Sequence, residues 1–442
     1  MKMKHLGKSI VSLVVISSLL AGCSAGSKTE KAKEDPNGIQ TIEFWSAPNP
    51  PQTKFWKQMA TEYAKVNSKV KVNVTPIAET PSSEASIQAA IAGGNAPTLS
   101  ENVFRGFAAQ LVESKAILPL DEMDSYNDII KNRNMTKTID SWKFSDGHQY
   151  VLPVSSNAML FAWRLDILKQ IGYSKPPKTY SEVIEVGKKL KAKFPDKYLW
   201  ANADLAKNTW WARWFDFFML YNAASNGNKF IEGDKFVGND KAGVNTLKFF
   251  GDMAKNKLLL TQLATDPFET GISICTQLGP WTFSTWKEKY PELKLNDTYA
   301  LAPAPVPDGM STDKIKTFAD TKGIVIYSQS SKEKQKAGMD FVKWVFSKPE
   351  NDLTWFNMTN LPPARDDLNT NPKFKDYLAK HPELQPYAAA IPNAIPPIDN
   401  AKFNEIQTMI GDKALNPVVN GQMDAQKAWG ELKKAMTEVL SK

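Results

Sequence analysis

The sequence is poor in cysteine and histidine, and these shortages exclude several kinds of site. Among 442 residues there are only two cysteines, Cys23 and Cys275, and three histidines. Two thiols are too few for a disulfide-stapled scaffold, a four-cysteine zinc site or a cysteine-coordinated iron–sulfur cluster. His148 and His381 have no metal-ligand spacing around them, which favours ordinary loop histidines. The sequence therefore predicts neither a metal site nor a cofactor.

Long apolar runs are also scarce, and the one that is present lies at the N-terminus. Lys2, Lys4 and Lys8 precede an apolar run that begins at Ile10 and ends in small residues. This run is shorter than the roughly 20 apolar residues that a bilayer-spanning helix needs. A basic segment, a short apolar segment and small residues are typical of a signal peptide, which we place at residues 1–22. The sequence thus predicts an exported protein.

The residues around Cys23 predict a lipid anchor. Leu20-Ala21-Gly22-Cys23 resembles the bacterial lipobox, in which the cysteine thiol receives a diacylglycerol after cleavage. Residues 23–38 contain no large apolar side chain and are predicted to form a flexible tether. We therefore expect the lipid on Cys23 to hold the protein at the outer face of the cell membrane. An ordinary signal peptide followed by a chance cysteine is the alternative.

The sequence also lacks a large excess of charge of one sign. The chain has 55 Lys and Arg against 47 Asp and Glu; without the predicted signal peptide the basic count is 52, so the net charge falls from +8 to +5. Basic and acidic residues are interspersed, whereas a nucleic-acid partner needs clustered phosphate contacts. The sequence predicts no nucleic-acid partner and a monomer. A hydrophobic content of 42% with 23% charged residues is typical of a globular protein, and the length suggests two or three domain-sized units.

Apolar residues alternate between the period of a strand and that of a helix. Ile42 and Phe44 indicate a strand, residues 55–66 a helix, and Val70, Val72 and Val74 a second strand. The pattern recurs through a capping box at Thr179–Glu182, a strand at 323–327, a helix opened by Ser330 and a last helix reaching Leu440. Alternating strands and helices favour an α/β protein with largely parallel sheets.

Six short motifs occur in the order typical of one family. They are Phe44-Trp45, Ala89–Pro97, Gly147–Ser156 with the strand after it, Leu278–Trp281, Gly323–Tyr327 with its helix, and Asn360–Leu368. In this order, after a lipobox, the chain resembles the extracellular solute-binding proteins of carbohydrate ABC importers, the maltose-binding-protein-like group. The resemblance implies two α/β lobes joined by a hinge, with a ligand cleft between them. It also implies an oligosaccharide ligand, ABC permease subunits as membrane partners and an ATPase acting through them.

Carried over to this chain, the resemblance divides the body into two lobes. Lobe 1 would comprise residues 39–152 and 320–358, and lobe 2 residues 156–317 and 361–442. The crossings would lie near 153–155, 318–319 and 359–360. Closure about such a hinge is an established type of domain motion.

Aromatic residues are abundant, with 13 Trp, 12 Tyr and 22 Phe, and they supply candidates for a sugar site. Sugars offer an apolar face for aromatic stacking and a rim of hydroxyls for polar side chains. At the cleft positions implied by the resemblance, the predicted ligand-binding residues are Trp45, Ser46, Asn49, Asn102, Phe104, Arg105, Trp210, Trp211, Trp281, Asp320, Lys322, Arg365 and Phe403. The aromatic residues predicted for the core by their helical spacing are Phe341, Trp344, Trp355, Phe356 and Trp429.

Each of the stronger candidates has a structural alternative. For Trp45 and Trp281 the alternative is packing in the core, and for Arg105 it is a surface salt bridge. Arg365 is followed by Asp366, a possible internal partner. If residues 210–218 are one helix, Trp211 and Trp214 share a core-facing side with Phe218.

Three functions are compatible with these features. The first is a receptor, not an enzyme, that binds a largely neutral oligosaccharide and delivers it to a permease. The second is an exported glycan-active enzyme, which needs two carboxylates at a fixed separation; 47 acidic residues make such pairs uninformative in sequence. The motifs Gly-x-Ser-x-Gly, HExxH and GxxxxGK[ST] are absent. The third, a surface adhesin, leaves the aromatic residues at cleft positions unexplained.

Overall fold

Strands and helices alternate along the chain from Gln40 onward, as the apolar periodicity predicts. The computed structural model describes residues 38–80, 82–207 and 213–442, so the predicted signal peptide, Cys23, Trp210 and Trp211 lie outside the described residues. The strands are β1 (Gln40–Ser46), β2 (Val70–Pro76), β3 (Leu99–Val103), β4 (Leu152–Pro153), β5 (Leu160–Arg164), β6 (Tyr198–Ala201), β7 (Ile231–Glu232), β8 (Lys235–Phe236), β9 (Leu259–Leu260), β10 (Ser273–Leu278), β11 (Tyr299–Ala302), β12 (Thr317–Phe318), β13 (Gly323–Ile326) and β14 (Ala394–Ile395).

The helices include the long ones that the sequence predicts. They are α1 (Pro50–Val66), α2 (Ser83–Ala92), α3 (Arg105–Glu113), α4 (Tyr126–Asn132), α5 (Thr136–Asp140), α6 (Leu165–Gln170), α7 (Tyr180–Lys193), α8 (Phe217–Ala224), α9 (Asp240–Lys255), α10 (Thr282–Lys289), α11 (Lys332–Phe346), α12 (Pro349–Thr359), α13 (Pro372–Lys380), α14 (Gln385–Ala390), α15 (Phe403–Ile410), α16 (Asn416–Val419) and α17 (Ala425–Leu440). Short 3₁₀ turns cover Leu120–Glu122, Ala203–Ala206, Pro382–Leu384 and Ile391–Asn393, and a π-helical turn, Gly411–Leu415, joins α15 to α16.

Side chains at the helix ends explain several of these boundaries. The Thr179 hydroxyl accepts a hydrogen bond from the Glu182 amide, and the Glu182 carboxylate accepts one from the Thr179 amide, so the predicted capping box is confirmed. Gly94 follows α2 with a φ of +69°, a conformation that costs glycine little. Ser331, one residue later than predicted, caps α11.

Two five-stranded sheets carry the α/β architecture, and both are mixed rather than largely parallel. The first has the strand order β2-β1-β3-β13-β4 and the second β11-β5-β10-β6-β9. β1 is parallel to β2 and β3, and β10 is parallel to β6, but β13 and β5 run antiparallel to their neighbours. The sequence pattern shows which segments are strands but not the direction in which each enters its sheet.

The antiparallel strands are those that the chain enters from the other sheet. Val103 at the end of β3 stands opposite Gly323 at the start of β13, which also pairs with Pro153 at the end of β4. In the second sheet, Leu278 at the end of β10 stands opposite Leu160 at the start of β5. A strand that starts at this edge must run away from it, whereas β3 and β10 run toward it. The carboxyl ends of β3 and β10 therefore lie beside the connections between the sheets.

Three connecting segments lie side by side between the two sheets. The Met159 amide donates to the Phe318 carbonyl (3.0 Å), and the Ser156 amide donates to the Pro362 carbonyl (2.9 Å). β12 also pairs with β14 in parallel. The structure thus brings together the segments at 153–159, 317–322 and 360–364, where the sequence predicts crossings. The division into two moving lobes remains a prediction.

The predicted core aromatics pack around the first sheet and within the second half of the chain. The Phe44 and Trp56 ring centroids are 4.5 Å apart, and Phe341 meets both rings edge-on or tilted. Trp355 and Trp429 are fully buried as well. Burial of each such ring contributes about 1.5–3 kcal/mol. Most of the aromatic surplus in the composition therefore stabilises the fold.

Candidate ligand-binding site

The connection from β1 to α1 stands at the carboxyl edge of the first sheet. Trp45 is partly buried, with its ring packed against the core. Ser46 is fully buried, and its hydroxyl lies 2.9 Å from that of Thr53. Asn49 caps α1, and its side chain accepts from the Gln52 amide at 3.3 Å. Ser46 thus stabilises the loop, and its ligand contact stays a prediction, as do those of Trp45 and the exposed Asn49.

A β-bulge distorts β3 next to this loop. Ser100 pairs with Val325 and Val103 with Gly323, so β3 uses one residue more than β13 over this stretch. Asn102 lies in the bulge with a φ of +68°, a left-handed conformation that asparagine tolerates better than most residues. Bulges of this kind re-aim side chains next to functional sites. The bulge turns Asn102, which is partly exposed, away from the regular pleat and keeps it as a candidate.

The bulge also places a buried carboxylate behind the loop. Glu101 is 2% exposed, and its two oxygens accept from the Trp56 indole (2.7 Å), the Ala47 amide (3.0 Å) and the Gln52 side chain (3.0 Å). Burial raises the pKa of Glu101 to about 7, although all three hydrogen bonds and the nearby charge of Lys322 act in the opposite direction. Glu101 is not among the ligand-binding residues predicted from sequence.

An aromatic cluster bridges the two sheets. The Phe104 ring lies 4.9 Å from Trp214 and 5.3 Å from Phe403, and Trp214 lies 5.3 Å from Phe318. Gly106 is required beneath Phe403, because a Cβ there would lie 2.5 Å from the ring. Phe104 and Phe403 are almost completely buried by these neighbours. Both residues therefore pack between the sheets, and their role as ligand contacts stays a prediction.

Trp214 belongs to this cluster and not to the face of a long helix. α8 begins only at Phe217, so the helical spacing expected for Trp211, Trp214 and Phe218 does not apply at Trp214. Trp214 is buried as predicted, but its indole nitrogen has no hydrogen-bond partner among the described residues. Trp210 and Trp211 lie outside the described residues, and their ligand role stays a prediction.

Trp281 provides an accessible aromatic surface at the carboxyl edge of the second sheet. It lies shortly after the end of β10, at the N-cap of α10. The ring lies over Gly279, where an added Cβ would come within 2.0 Å of it. Only glycine at this position therefore leaves room for the ring. Trp281 is 38% exposed, in contrast to the buried tryptophans of the core. This exposure agrees with a stacking role better than with core packing.

Arg105 is engaged within the protein. Its guanidinium donates to the carbonyls of Ser141 and Lys143 and pairs with Asp399 at 3.2 Å, and it lies 5.2 Å from the centre of the Phe144 ring. Burial lowers the pKa of Arg105, and the charge of Asp399 opposes that shift. Arg105 thus joins the start of α3 to the segment before α15, and its role as a ligand contact stays a prediction.

Arg365 is engaged in the same way beneath the connecting segments. Its guanidinium pairs with Asp367 (2.7 Å) and Asp352 (3.0 Å). Asp352 also binds Arg133 at 2.8 Å, and both side chains of that pair are completely buried. Asp366, the suspected partner of Arg365, instead accepts bonds from the first turn of α5. Arg365 thus has a structural role beneath the connecting segments, and its role as a ligand contact stays a prediction.

Asp320 and Lys322 lie in the connection into β13. Both side chains are partly buried. Burial raises the pKa of Asp320, and the positive charge of Lys322 acts against that shift. Lys322 thus lies near two carboxylates, those of Asp320 and Glu101. Both residues remain candidates for the rim of the site.

Asn157, which is not among the ligand-binding residues predicted from sequence, lies in the segment that joins the two sheets. It is 2% exposed, and neither its side-chain oxygen nor its nitrogen has a partner among the described residues. Its backbone amide donates a hydrogen bond to the Thr321 hydroxyl of the neighbouring connection at 3.4 Å. Asn157 lines a cavity of about 370 Å³ together with Trp142 and Thr321. A buried amide without partners is costly, so it marks a place where a ligand can supply them.

Two polar residues of α15 share this property. Among the described residues, the Asn404 side-chain oxygen and both polar side-chain atoms of Gln407 have no partner. They follow Phe403 on the helix that packs against the aromatic cluster. The only signal in sequence was that polar residues interrupt an otherwise apolar helix.

Comparison with known proteins identifies the family. The model of the bacterial extracellular solute-binding proteins matches residues 58–383. The chain belongs to this family. Its members are binding proteins, and membership of an extracellular family indicates an exported protein. Among the described residues, no helix is long and apolar enough to cross a membrane.

Solved structures support the same fold. An uncharacterized protein of Listeria monocytogenes is 54% identical over 91% of this chain and 100% of its own, with a TM-score of 0.85. The cyclic α-maltosyl-1,6-maltose binding protein of Arthrobacter globiformis is 16% identical over 91% and 99%, with a TM-score of 0.76. The sugar-binding protein MalE of Xanthomonas citri is 19% identical over 91% and 98%, with a TM-score of 0.72. The predicted periplasmic-binding-protein-like fold is thereby confirmed.

Proposed function

We propose that this protein is the sugar-binding component of a carbohydrate ABC importer and that it binds a largely neutral oligosaccharide between its two sheets. The observation that carries the proposal is the position of Trp281. A large ring, 38% exposed, lies at the carboxyl end of β10 and beside the segments that join the sheets. Carboxyl ends of strands are where open α/β sheets bind ligands.

The chemistry of the neighbouring groups suits a sugar. Trp281 offers a face for the C–H side of a pyranose ring, and Trp45 lies at the corresponding end of β1. Asn102, Asp320 and Lys322 supply donors and acceptors for hydroxyl groups. Asn157 adds a buried amide whose hydrogen-bonding capacity is unused among the described residues. Several aromatic surfaces and few fixed charges favour an oligosaccharide over an ionic ligand.

Closure of the two lobes would couple binding to delivery. A ligand that contacts both sheets stabilises the closed state by its difference in affinity for the two states. The three adjacent connecting segments are the proposed hinge. A permease could then distinguish loaded from empty protein. In this proposal the protein acts as a monomer without catalysis, and a lipid on Cys23 tethers it to the outer face of the membrane.

Titration calorimetry against a panel of neutral oligosaccharides tests the proposal. The panel contains maltotriose, a cyclic α-glucan tetrasaccharide and cellotriose, because the structurally similar proteins include one that binds cyclic α-maltosyl-1,6-maltose. We expect saturable binding of at least one sugar and no release of reducing ends. Tight binding of a peptide, an amine or phosphate without any sugar would contradict the proposal, and so would hydrolysis of the sugar.

Small-angle scattering of the same samples separates a closing receptor from a fixed surface adhesin. We expect the radius of gyration to fall when the bound sugar is added. An unchanged radius in saturated protein would contradict closure while leaving sugar binding intact.

Mass spectrometry of membrane-extracted protein tests the anchor. We expect a diacylglycerol-modified N-terminal cysteine at position 23, and Cys23→Ser should release the protein from the membrane fraction. An unmodified N-terminus would contradict the anchor but not the binding function.

A further inference from the structure

Glu101 is an unusual residue to find behind a sugar-binding loop. Its carboxylate is almost completely buried at the bulge of β3, immediately before Asn102. A carboxylate placed there costs free energy unless its oxygens are well bonded. Its three donors come from the chain just after β1 and from the first two turns of α1. Glu101 thus joins β3 to both parts of the β1–α1 connection.

Glu101 accepts from three neutral donors, and the charge of one side chain, Lys322, acts on it. α1 contributes the neutral donors of Gln52 and Trp56, and the connection after β1 contributes the Ala47 amide. The segment leading into β13 contributes the positive charge of Lys322, which also acts on Asp320. Lys322 and Asp320 are both ligand candidates in the site described above. The carboxylate is therefore in electrostatic contact with the rim of the site as well as with the loop.

We propose that Glu101 is a positioning residue of the ligand site, whose ionised carboxylate holds the β1–α1 connection in its binding geometry. It does so through the Ala47 amide, which follows Trp45 and Ser46 in the chain, and through the Gln52 and Trp56 side chains at the start of α1. This inference rests on the proposed function, because it assigns a role within the same site.

The ionised form fits these donors, and the protonated form does not. An ionised carboxylate only accepts, so all three donors are satisfied. A proton on either oxygen takes up one lone pair and adds a donor in a place surrounded by donors, so the three bonds are weakened or rearranged. Burial raises the pKa of Glu101 to about 7, so this change would occur near neutral pH. The geometry of the loop, and with it the affinity for ligand, should then depend on pH.

Glu101→Gln tests the role with little change in shape. Glu43→Gln is the matched control, because Glu43 lies on β1 of the same sheet and accepts from the Asn73 side chain at 2.9 Å, away from the loop. A glutamine at position 101 cannot accept from three donors at once. We expect faster hydrogen exchange of the Ala47 amide in Glu101→Gln, by about tenfold, and no change in Glu43→Gln.

The indole N–H resonance of Trp56, assigned with Trp56→Phe, provides a readout that does not need ligand. In wild-type protein and in Glu43→Gln, we expect it to titrate with a midpoint near 7, and in Glu101→Gln we expect it to stay constant. A Trp56 resonance that is independent of pH, or Ala47 exchange that is unchanged in Glu101→Gln, would overturn the proposal.

Affinity for maltotriose, or for whichever sugar of the panel binds, supplies the second readout. Between pH 8.5 and 5.5 we expect the affinity of wild-type protein to fall by about tenfold and that of Glu101→Gln to stay flat at the weaker value. Equal pH profiles in the two proteins would overturn the proposal. If the Trp56 and Ala47 signals respond as expected but no sugar binds, the loop role of Glu101 is supported and the proposed function fails.

Discussion

Two sets of buried polar groups lie near the connecting segments, and they differ in how well they are paired. Beneath the segments, the Asp352 carboxylate binds both Arg133 and Arg365, and all three side chains are completely or almost completely buried. Beside the segments, the Asn157 amide and the Trp214 indole nitrogen have no partner among the described residues. A buried polar group with partners stabilises one structure, whereas one without partners is a cost that a ligand can remove. The paired set is therefore expected to be structural, and the unpaired Asn157 amide is a candidate ligand contact.

The largest expected effect is the loss of the paired set. Asp352→Asn removes the only carboxylate that joins Arg133 to Arg365 among the described residues and leaves buried positive charge uncompensated. We expect the free energy of unfolding to fall by about 3–5 kcal/mol, measured by urea denaturation. Asp128→Asn, which breaks an exposed pair with Lys343, should change the free energy of unfolding far less. Equal losses in the two variants would contradict the distinction.

Glu101 stands between the two sets, because it is fully paired yet costly when ionised. Its pKa in the folded protein is about 7, above the ordinary value of 4.5 that we take for the unfolded chain. Its contribution to stability is therefore complete below about pH 4.5 and is lost as the pH rises through 7. Between pH 4.5 and 8, we expect wild-type protein to lose up to about 3 kcal/mol more unfolding free energy than Glu101→Gln. If urea denaturation instead shows that both proteins lose the same unfolding free energy over this pH range, the carboxylate is not desolvated, which would contradict the structure.

Trp281→Ala sharpens the comparison from the ligand side. Because the ring is partly exposed, we expect the melting temperature to stay within a few degrees of wild type, while the sugar dissociation constant rises by about 10–100-fold. Leu263→Ala, at a more exposed apolar residue, should change neither quantity. Unchanged affinity in Trp281→Ala would remove Trp281 from the site.

Asn157→Ala tests the unpaired set directly. Removing an amide that has no partner should leave the unfolding free energy within about 0.5 kcal/mol of wild type. The sugar dissociation constant should rise by about 5–30-fold, since a bound hydroxyl would lose its partner. A large loss of stability together with unchanged affinity would place Asn157 among the structural residues.

The smallest effect is expected at the Arg105–Asp399 pair. The two side chains are 10% and 22% exposed, and their atoms lie 3.2 Å apart. A double-mutant cycle with Arg105→Ala and Asp399→Ala should give a coupling energy of about 1 kcal/mol in unfolding free energy. If sugar affinity falls far more than stability in Arg105→Ala, Arg105 contacts the ligand in addition to its partners within the protein.

Several elements of the fold were predictable from local sequence because their causes are local. The capping box at Thr179–Glu182 and the glycine after α2 depend on neighbouring backbone groups alone. The aromatic residues at Phe341 and Trp355 are buried because apolar periodicity marks the inner face of a helix. Strand direction was not predictable, since β13 and β5 run antiparallel only because the chain enters them from the other sheet.

The candidate site divides along the same line. Trp281 could be selected from its motif, and the structure leaves its ring accessible. Arg105 and Arg365 had the right chemistry for a sugar rim, but carboxylates and carbonyls of the protein already accept from most of their guanidinium nitrogens. Glu101 and Asn157 carried no sequence signal, because a carboxylate or an amide becomes informative only when its burial and its partners are known.

The sequence by itself determined the alternation of strands and helices, the shortage of cysteine and histidine that excludes several metal sites, and the family resemblance that the comparison confirmed. The tertiary structure decided which polar side chains are paired and which are not. The physical reason is that secondary structure and capping depend on residues a few positions apart. Desolvation and hydrogen bonding at Glu101, Asn157 and Arg365 instead depend on groups that meet only when the two sheets and their connections have formed.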